Sequence, residues 1–292
     1  SVEQPVLREF CFKGVDEALS ISGIELSQQQ VQEFVRDFSG AFDDCLTTPR
    51  KAKLYGNTLL FSLPILKGEV NPVDLMLIEG VRIFFPSLYG IIRKNKSLFS
   101  GVFSERNHSD SAPEKEHIKS LIDTALLNTE DVDKKGVIRL LKNMFPKLSS
   151  VYGNTTYGSD WYKEWDKGQR ICSETYFSRY FTYSIPKNDI ADGLITSLIS
   201  ECPKWVADPE TEENPLSNIL TSSNAELLIK KLRRISDEIA PHESIALAVA
   251  ISNKSDSYPN PDALFSHMNP LVQAAMLVSS LIQNNEASTR KT

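Results

Sequence analysis

Apolar residues recur along most of this chain at the spacing of an α-helix. The clearest example is the stretch 28–46, where one stripe is formed by Val31, Phe34, Val35, Phe38, Ala41, Phe42 and Cys45. Residues three and four apart lie on the same side of a helix, so this stripe predicts an amphipathic helix with one buried face. Ser27 and Gln30 have the spacing of a capping box, which marks the start of that helix.

Proline marks three further helix starts in the segment 48–95. They are Thr48-Pro49, Asn71-Pro72 and Pro86. A helix accepts proline in its first turn, where the missing N–H is not needed, and threonine and asparagine are good capping residues. The segment therefore predicts three helices in succession.

The helix predicted over 71–85 is apolar on nearly all sides. Only Asp74, Glu79 and Arg82 interrupt its apolar residues. Such a helix is expected to be buried between others, and Glu79 and Arg82 have the spacing of an internal ion pair. An apolar run that ends in an acid also resembles a Walker B strand, but the Asn-Pro opening favours the helix.

Helical spacing continues beyond this segment, with one ambiguous stretch. Helices are predicted over 113–127, 130–146, 189–202, 224–240, 241–253 and 269–284. The stretch 179–185 is the best strand candidate, because it is rich in aromatic and β-branched residues, but 176–181 could equally close a helix. We predict a mainly α fold, a multi-helix bundle or an irregular α-solenoid, with at most a minor strand element in the aromatic-rich middle.

Two segments have the composition of linkers. Residues 105–112 are polar, and 203–215 are acidic and punctuated by proline. Both compositions are typical of loops. They predict three parts: a helical lid-like subdomain over 1–105, a helical and aromatic-rich region over 106–202, and a helical array over 203–292.

Composition limits the possible environments of the chain. With 292 residues, 41% hydrophobic and 24% charged, it is typical of a globular protein with a sizeable core. The formal charge of −6 argues against a general attraction to nucleic acid or anionic lipid. No apolar run reaches about 18 residues, so no membrane span is expected. The four cysteines lack disulfide or metal spacing, which predicts reduced, buried thiols and suits the cytoplasm.

Catalytic and metal-binding motifs are absent from the sequence. The four histidines are scattered, at His108, His117, His242 and His267. None has the spacing of a metal site, and neither a nucleophile elbow nor a cysteine–histidine signature occurs. No catalytic residue and no metal ligand is therefore predicted.

Two groups of cations are candidates for binding anions. Arg50 and Lys53 lie in the first two turns of a predicted helix, where the helix dipole disfavours positive charge, so they suit a site that meets an anion. An exposed basic helix end is the alternative. Lys230, Lys231, Arg233 and Arg234 are predicted to lie on the polar face of a second helix and could contact nucleic acid. A solvated face is favoured there, because no second basic strip accompanies them.

Aromatic residues are concentrated in one part of the chain. Ten of the 26 fall between Tyr152 and Tyr183. They could stack on bases or on a peptide, but a packed core is the favoured interpretation, because aromatic side chains bury large areas.

Two parts of the chain resemble the KAP family of P-loop NTPases. The first contains TPRKAK at 48–53, Asn57, EVNPVDL at 69–75, Arg82, PSLY at 86–89 and IR at 92–93. The second contains RIC at 170–172, YFSRYFTY at 176–183, Pro186 and DI at 189–190. The TPR segment resembles the arginine-bearing lid helix of related ATPases, which implies nucleotide sensing by Arg50. The sequence departs from the family at Leu54-Tyr55, where a second basic residue is usual.

The resemblance implies a larger ATPase whose Walker motifs precede a helical region. It also implies ATP and Mg²⁺ as cofactors of that larger protein, association with the inner face of a membrane, and, in bacteria, antiviral defence. The loop G-x-x-x-x-G-K-[ST] does not occur in this chain. We expect a C-terminal, non-catalytic region that regulates an N-terminal NTPase core and binds a protein partner not named by the sequence. A stand-alone helical scaffold is the alternative, and nucleic-acid binding through the basic helix is the third possibility.

Overall fold

The fold is mainly α, as predicted. A computed structural model describes residues 3–103, 111–127, 133–153, 155, 157–158, 160–187, 189–259 and 269–289. These residues form fourteen α-helices and contain no strand. The helices are α1 (Gln4–Ser22), α2 (Gln28–Phe42), α3 (Pro49–Ile65), α4 (Pro72–Phe84), α5 (Pro86–Lys94), α6 (Lys96–Phe99), α7 (Ser111–Ala125), α8 (Lys134–Met144), α9 (Trp161–Lys167), α10 (Arg179–Thr182), α11 (Asp192–Ala207), α12 (Ala225–Ile235), α13 (Pro241–Asn253) and α14 (Pro270–Thr289).

The helix starts predicted from local chemistry are confirmed. Helices α3, α4 and α5 each begin at the expected proline. Thr48 caps α3 by accepting a hydrogen bond from the backbone N–H of Lys51, and the Asn71 side chain caps α4 in the same way. The capping box of Ser27 and Gln30 opens α2, with both of its hydrogen bonds formed.

The chain divides into two compact units, residues 1–184 and 185–292. The predicted boundary between 105 and 106 falls outside the described residues. The boundary predicted between 202 and 203 falls inside α11, which continues to Ala207. It does so because Cys202 and Trp205 are both buried in the core of the second unit. The acidic stretch after α11 therefore joins parts of one unit.

In the first unit, α1 and α3 pack against each other over much of their length. Gly14 and Gly56 meet at this contact, where a Cβ added to Gly56 would lie 3.2 Å from the Gly14 Cα. Larger side chains would force the two helices apart. The hydrophobic pattern does not predict α1, because few of the residues on its buried face are large and apolar. That face is formed by Leu7, Cys11, Val15 and Ala18.

Helix α4 is the centre of the first unit. Its residues 73–81 are all buried, which confirms the prediction of a helix surrounded by others. The Tyr55 hydroxyl on α3 donates to the backbone carbonyl of Met76, at 2.9 Å. The predicted ion pair also forms, with Arg82 Nε 2.7 Å from the Glu79 carboxylate.

The stretch 179–185 is not a strand. Residues 179–182 form the short helix α10, so the helical alternative is correct. The buried Tyr180 explains this outcome, because its hydroxyl donates to the Gln169 carbonyl and accepts the Asn71 N–H. The backbone N–H groups of Phe181 and Thr182 both donate to the Ser178 carbonyl, which is the local pairing of a helical turn and not of a strand. Tyr183 then ends the helix with a left-handed φ of 49°.

The second unit is built around α13, which packs against both α11 and α14. The Ser244 hydroxyl donates to the Leu281 carbonyl, at 3.1 Å. The Asn214 amide reaches the Ala250 carbonyl at 3.0 Å and so holds the loop after α11 against α13. The unit has its own apolar core, which includes Leu228, Leu247 and Leu277.

Two expectations from composition concern the whole chain. All four cysteines are free and buried, as predicted. Within the described ranges, none of the helices combines the length and the apolar character needed to span a bilayer.

Candidate functional site

The two segments that resemble KAP NTPases lie against each other in the first unit. Asp74, at the start of α4, is buried and its carboxylate lies 2.6 Å from Arg170 Nε. The same carboxylate accepts the backbone N–H of Ile171, at 2.9 Å. Asp74 raises the pKa of the Arg170 guanidinium, so this cation stays charged.

A second buried pair joins the same segments. Arg179 is fully buried, and its guanidinium lies 2.5 Å from the Glu69 carboxylate and 3.1 Å from the Glu69 carbonyl oxygen. The ring of Tyr176 lies 4.8 Å from the guanidinium carbon. A buried charge needs such a set of partners, because desolvation without them costs several kcal/mol.

A third cluster surrounds Glu79. The Tyr183 hydroxyl donates to its carboxylate at 2.5 Å, and Arg82 pairs with it from the other side. Burial raises the pKa of Glu79 above its ordinary value. The three clusters fix α4 to the segment 165–183, and their charged groups are already engaged with one another. We therefore assign them to stability rather than to chemistry.

Arg50 and Lys53 are exposed on the first turns of α3. Neither forms an ion pair or side-chain hydrogen bond with any described residue. Lys51 between them differs, because its ammonium group donates to the Cys45 carbonyl at 3.2 Å. The structure thus keeps the two predicted candidates together and leaves both available for an anion.

Large apolar side chains continue the same side of α3. Leu54, Phe61 and Ile65 are between 45% and 59% exposed. Their separations of seven and four residues keep them on one face, and Arg50 precedes Leu54 by one helical turn. We call this set, Arg50, Lys53, Leu54, Phe61 and Ile65, the α3 surface. It combines free positive charge at one end with exposed apolar area along its length.

The predicted basic face of α12 is divided by the fold. Lys231 is only 2% exposed, and its ammonium group lies 2.9 Å from Asp189 and 2.7 Å from Asp192. Arg234 also pairs with Asp192, at 3.4 Å. The prediction that all four cations lie on the polar face is wrong, because acids about 40 residues earlier in the chain draw two of them inward.

Lys230 and Arg233 remain exposed on α12. They are too few to form the basic strip that a nucleic-acid backbone needs. Of the four cations predicted for a nucleic-acid site, only these two are exposed.

Metal ligands do not cluster within the described part of the chain. His117 and His242 are exposed there, while His108 and His267 lie outside the described residues. No three histidine, cysteine, aspartate or glutamate side chains among the described residues come together in a metal-binding arrangement.

A cavity of about 500 Å³ opens beside α4 in the first unit. Its walls come from α2, α4, α8 and the segment that leads into α9. Trp161 and Trp165 form one wall, with nearly parallel rings whose centroids are 6.5 Å apart. The opposite walls are polar and include Asp37, which is held by Arg36 at 2.9 Å and by the Asn143 amide at 3.1 Å.

Sequence reasoning did not find this cavity. It assigned the aromatic block to a core, and most of the block is indeed buried, including Trp165, Tyr176 and Phe177. Trp161 is the exception, at 48% exposed. The only signal in the sequence is the four-residue spacing of the two tryptophans, which places their rings on one side of a helix.

No protein-family model matches this chain, and no curated protein or solved structure shows significant similarity to it. The relation to KAP NTPases therefore rests on the residues quoted above and stays a hypothesis.

Proposed function

We propose that this chain is the C-terminal helical, partner-binding region of a KAP-type P-loop NTPase. In this proposal the α3 surface receives the nucleotide-binding core of that larger protein. The observation that carries the proposal is the α3 surface itself, where two cations without acidic partners adjoin exposed apolar side chains. Exposed apolar side chains that adjoin charge are typical of protein interaction sites.

The charge of the α3 surface favours an anionic occupant. The N-terminal end of a helix already attracts negative charge through its free N–H groups. Arg50 and Lys53 add two full charges there, and an arginine can bind a phosphate through two parallel hydrogen bonds. A core that carries ATP and Mg²⁺ would present such phosphates, and the apolar part of the α3 surface would pack against its protein surface.

Side-chain contacts also connect the α3 surface to the interior of the first unit. The Phe61 ring contacts the Tyr183 ring, with centroids 5.8 Å apart. Tyr183 in turn bonds Glu79 and lies under the Arg82 guanidinium, 5.6 Å from ring centroid to guanidinium carbon. A partner that covers Phe61 would therefore touch a cluster anchored in the central helix α4. This contact supports a regulatory role for the region.

The wider role follows from the resemblance alone. It implies a cytoplasmic protein that associates with the inner face of a membrane and, in bacteria, acts in antiviral defence. The chain itself would supply neither the phosphate cradle nor the Mg²⁺ ligands of the ATPase reaction.

Two alternatives lead to different expectations. A stand-alone scaffold would use the α3 surface to bind a protein that has no nucleotide. Nucleic-acid binding through α12 would depend steeply on salt. The structure supports the latter less than the sequence does, because Lys231 and Arg234 are held in ion pairs.

The test begins with the complete coding sequence. We expect a G-x-x-x-x-G-K-[ST] loop upstream of residue 1, and we expect the full-length protein to hydrolyse ATP. Arg50→Ala should lower its kcat by roughly tenfold or more, as loss of a phosphate-sensing arginine does. Lys94→Ala, an exposed cation on α5, is the matched control and should leave the rate unchanged.

Three results would contradict the proposal. The first is a complete coding sequence without the loop. The second is a full-length ATPase whose rate does not respond to Arg50→Ala or Leu54→Asp. The third is ATP turnover by residues 1–292 alone. If the coding sequence lacks the loop, a protein partner that no longer binds the Leu54→Asp variant would establish the stand-alone scaffold instead.

A further inference from the structure

The cavity beside α4 has the size and the mixed walls of a small-molecule site. Its volume of about 500 Å³ falls within the range of roughly 300–1,000 Å³ that such sites occupy. One wall is aromatic, the floor includes apolar residues of α4, and the remaining walls are polar. It is lined by none of the residues of the α3 surface, so it does not depend on the function proposed above.

The aromatic wall offers a flat stacking surface. Trp165 is 4% exposed and fixed, because its ring also meets Tyr162 edge-on with centroids 5.9 Å apart. Trp161 lies nearly parallel to Trp165 and leaves about half of its own surface uncovered. An exposed indole backed by a second, fixed indole is a ready partner for a planar ring, and every nucleobase has such a face.

Two polar groups at the cavity form no hydrogen bond with the described residues. Ser149 is 6% exposed, and no described residue bonds its hydroxyl group. The indole N–H of Trp165 likewise has no acceptor among the described residues. Both side chains line the cavity. Neither atom is among the buried polar atoms without a partner, so both are accessible and can bond a ligand in the cavity.

The charges on the walls define the occupant further. Arg36 and Asn143 hold Asp37, and Arg170 holds Asp74, so these acids and arginines balance one another. Glu33 lies on α2 near Arg36, which it helps to keep charged.

Lys142 on α8 is different, because it forms no ion pair and no side-chain hydrogen bond with the described residues. Its ammonium group can therefore pair with one anionic group of a ligand, and Glu33 is the acid on the same walls that offsets the charge of Lys142.

We propose that this cavity binds a nucleobase that carries a phosphate. The base stacks on Trp161, the Trp165 N–H and the Ser149 hydroxyl bond its polar edge, and Lys142 pairs with the phosphate. A free mononucleotide is the source that the volume of the cavity, about 500 Å³, favours, and a base at the end of a single-stranded RNA is the other source of the same chemistry.

Tryptophan fluorescence tests the proposal directly. Two of the three tryptophans line the cavity, and the third, Trp205, belongs to the core of the second unit. Titration with AMP, GMP, CMP and UMP should produce saturable quenching for at least one of them. Adenosine, ribose 5-phosphate and a short single-stranded RNA form the comparison set. Trp161→Leu and Lys142→Met should each raise the Kd roughly tenfold, which calorimetry verifies where the fluorophore has been removed.

Lys163→Met is the matched control, since Lys163 is an exposed lysine on α9 outside the cavity lining and its loss should leave the Kd unchanged. Thermal melting of each variant establishes that it is folded. The proposal is overturned if no nucleotide quenches saturably, or if both cavity variants bind as the wild type does. Equal affinity for AMP and adenosine would overturn the role of Lys142. If the RNA binds and none of the four mononucleotides does, a free mononucleotide is not the source of the base.

Discussion

The guanidinium of Arg179 lies 2.5 Å from the carboxylate of Glu69, although 110 residues separate them in the chain. Arg179 is fully buried, so contacts inside the protein replace the water that would otherwise solvate its charge. Such pairs are costly to break from one side, because the remaining charge stays buried without a partner.

Replacing Arg179 alone should therefore destabilise the first unit strongly. We expect Arg179→Met to lower the free energy of unfolding by about 3–5 kcal/mol, because it removes the buried cation that pairs with the Glu69 carboxylate. The double variant Glu69→Gln/Arg179→Met should recover part of this loss, since no charge is then left buried. Urea denaturation of Glu69→Gln, Arg179→Met and the double variant measures the three changes in the free energy of unfolding. A double variant as unstable as the sum of the single changes would show that the pair is not coupled.

Glu79 should make the stability of the first unit depend on pH. Burial raises its pKa in the folded state above the ordinary value of 4.5. The folded protein then binds a proton more tightly than the unfolded chain does, so the contribution of Glu79 to the free energy of unfolding is largest at low pH and is lost as pH rises from about 4.5 through the folded pKa.

The measurement compares urea unfolding of the wild type and Glu79→Gln over that pH window. The stability of the wild type relative to Glu79→Gln should fall as the pH rises. Glu17→Gln, an exposed change on α1, is the matched control for the loss of one carboxyl group. A constant difference between wild type and Glu79→Gln would show that the Arg82 and Tyr183 contacts cancel the effect of burial.

Gly136 is required by the contact between α8 and α2. A Cβ at this position would lie 1.7 Å from the Gly40 carbonyl oxygen, which no side-chain rearrangement can relieve. Gly136→Ala should cost about 1–3 kcal/mol or more, as overpacking does. Gly90→Ala on α5 is the matched comparison, because a Cβ there meets nothing within 4 Å, and it should raise stability by about 0.5–1 kcal/mol. Thermal melts that shift in the same direction for both variants would contradict this.

The two neighbouring lysines of α12 should behave differently. Lys231→Met leaves Asp189 and Asp192 without their shared cation and should destabilise the second unit by about 3–5 kcal/mol. Lys230→Met, one residue away and exposed, should leave the melting temperature unchanged. Differential scanning calorimetry distinguishes the two. Equal melting temperatures would mean that the ion pairs of Lys231 contribute nothing to stability.

Local chemistry was enough to predict the elements with strong start signals. Thr48-Pro49, Asn71-Pro72 and Pro86 specify helix starts because capping and proline geometry involve only neighbouring residues. The Glu79–Arg82 pair was predictable for the same reason, since three residues of helix bring the two side chains together. The cations at the start of α3 were predictable from the sequence as well, because their place in the first turns of a helix depends only on the local start signal.

Long-range contacts were decided only by the tertiary structure. The amino-acid pattern alone predicted a mainly α chain, its best helix starts and one local ion pair. The fold decided that Lys231 is buried, that 179–182 is helical, and that four distant segments enclose a cavity against Trp161. The physical reason is that charge pairing and burial depend on distance in space, whereas a pattern records only distance along the chain.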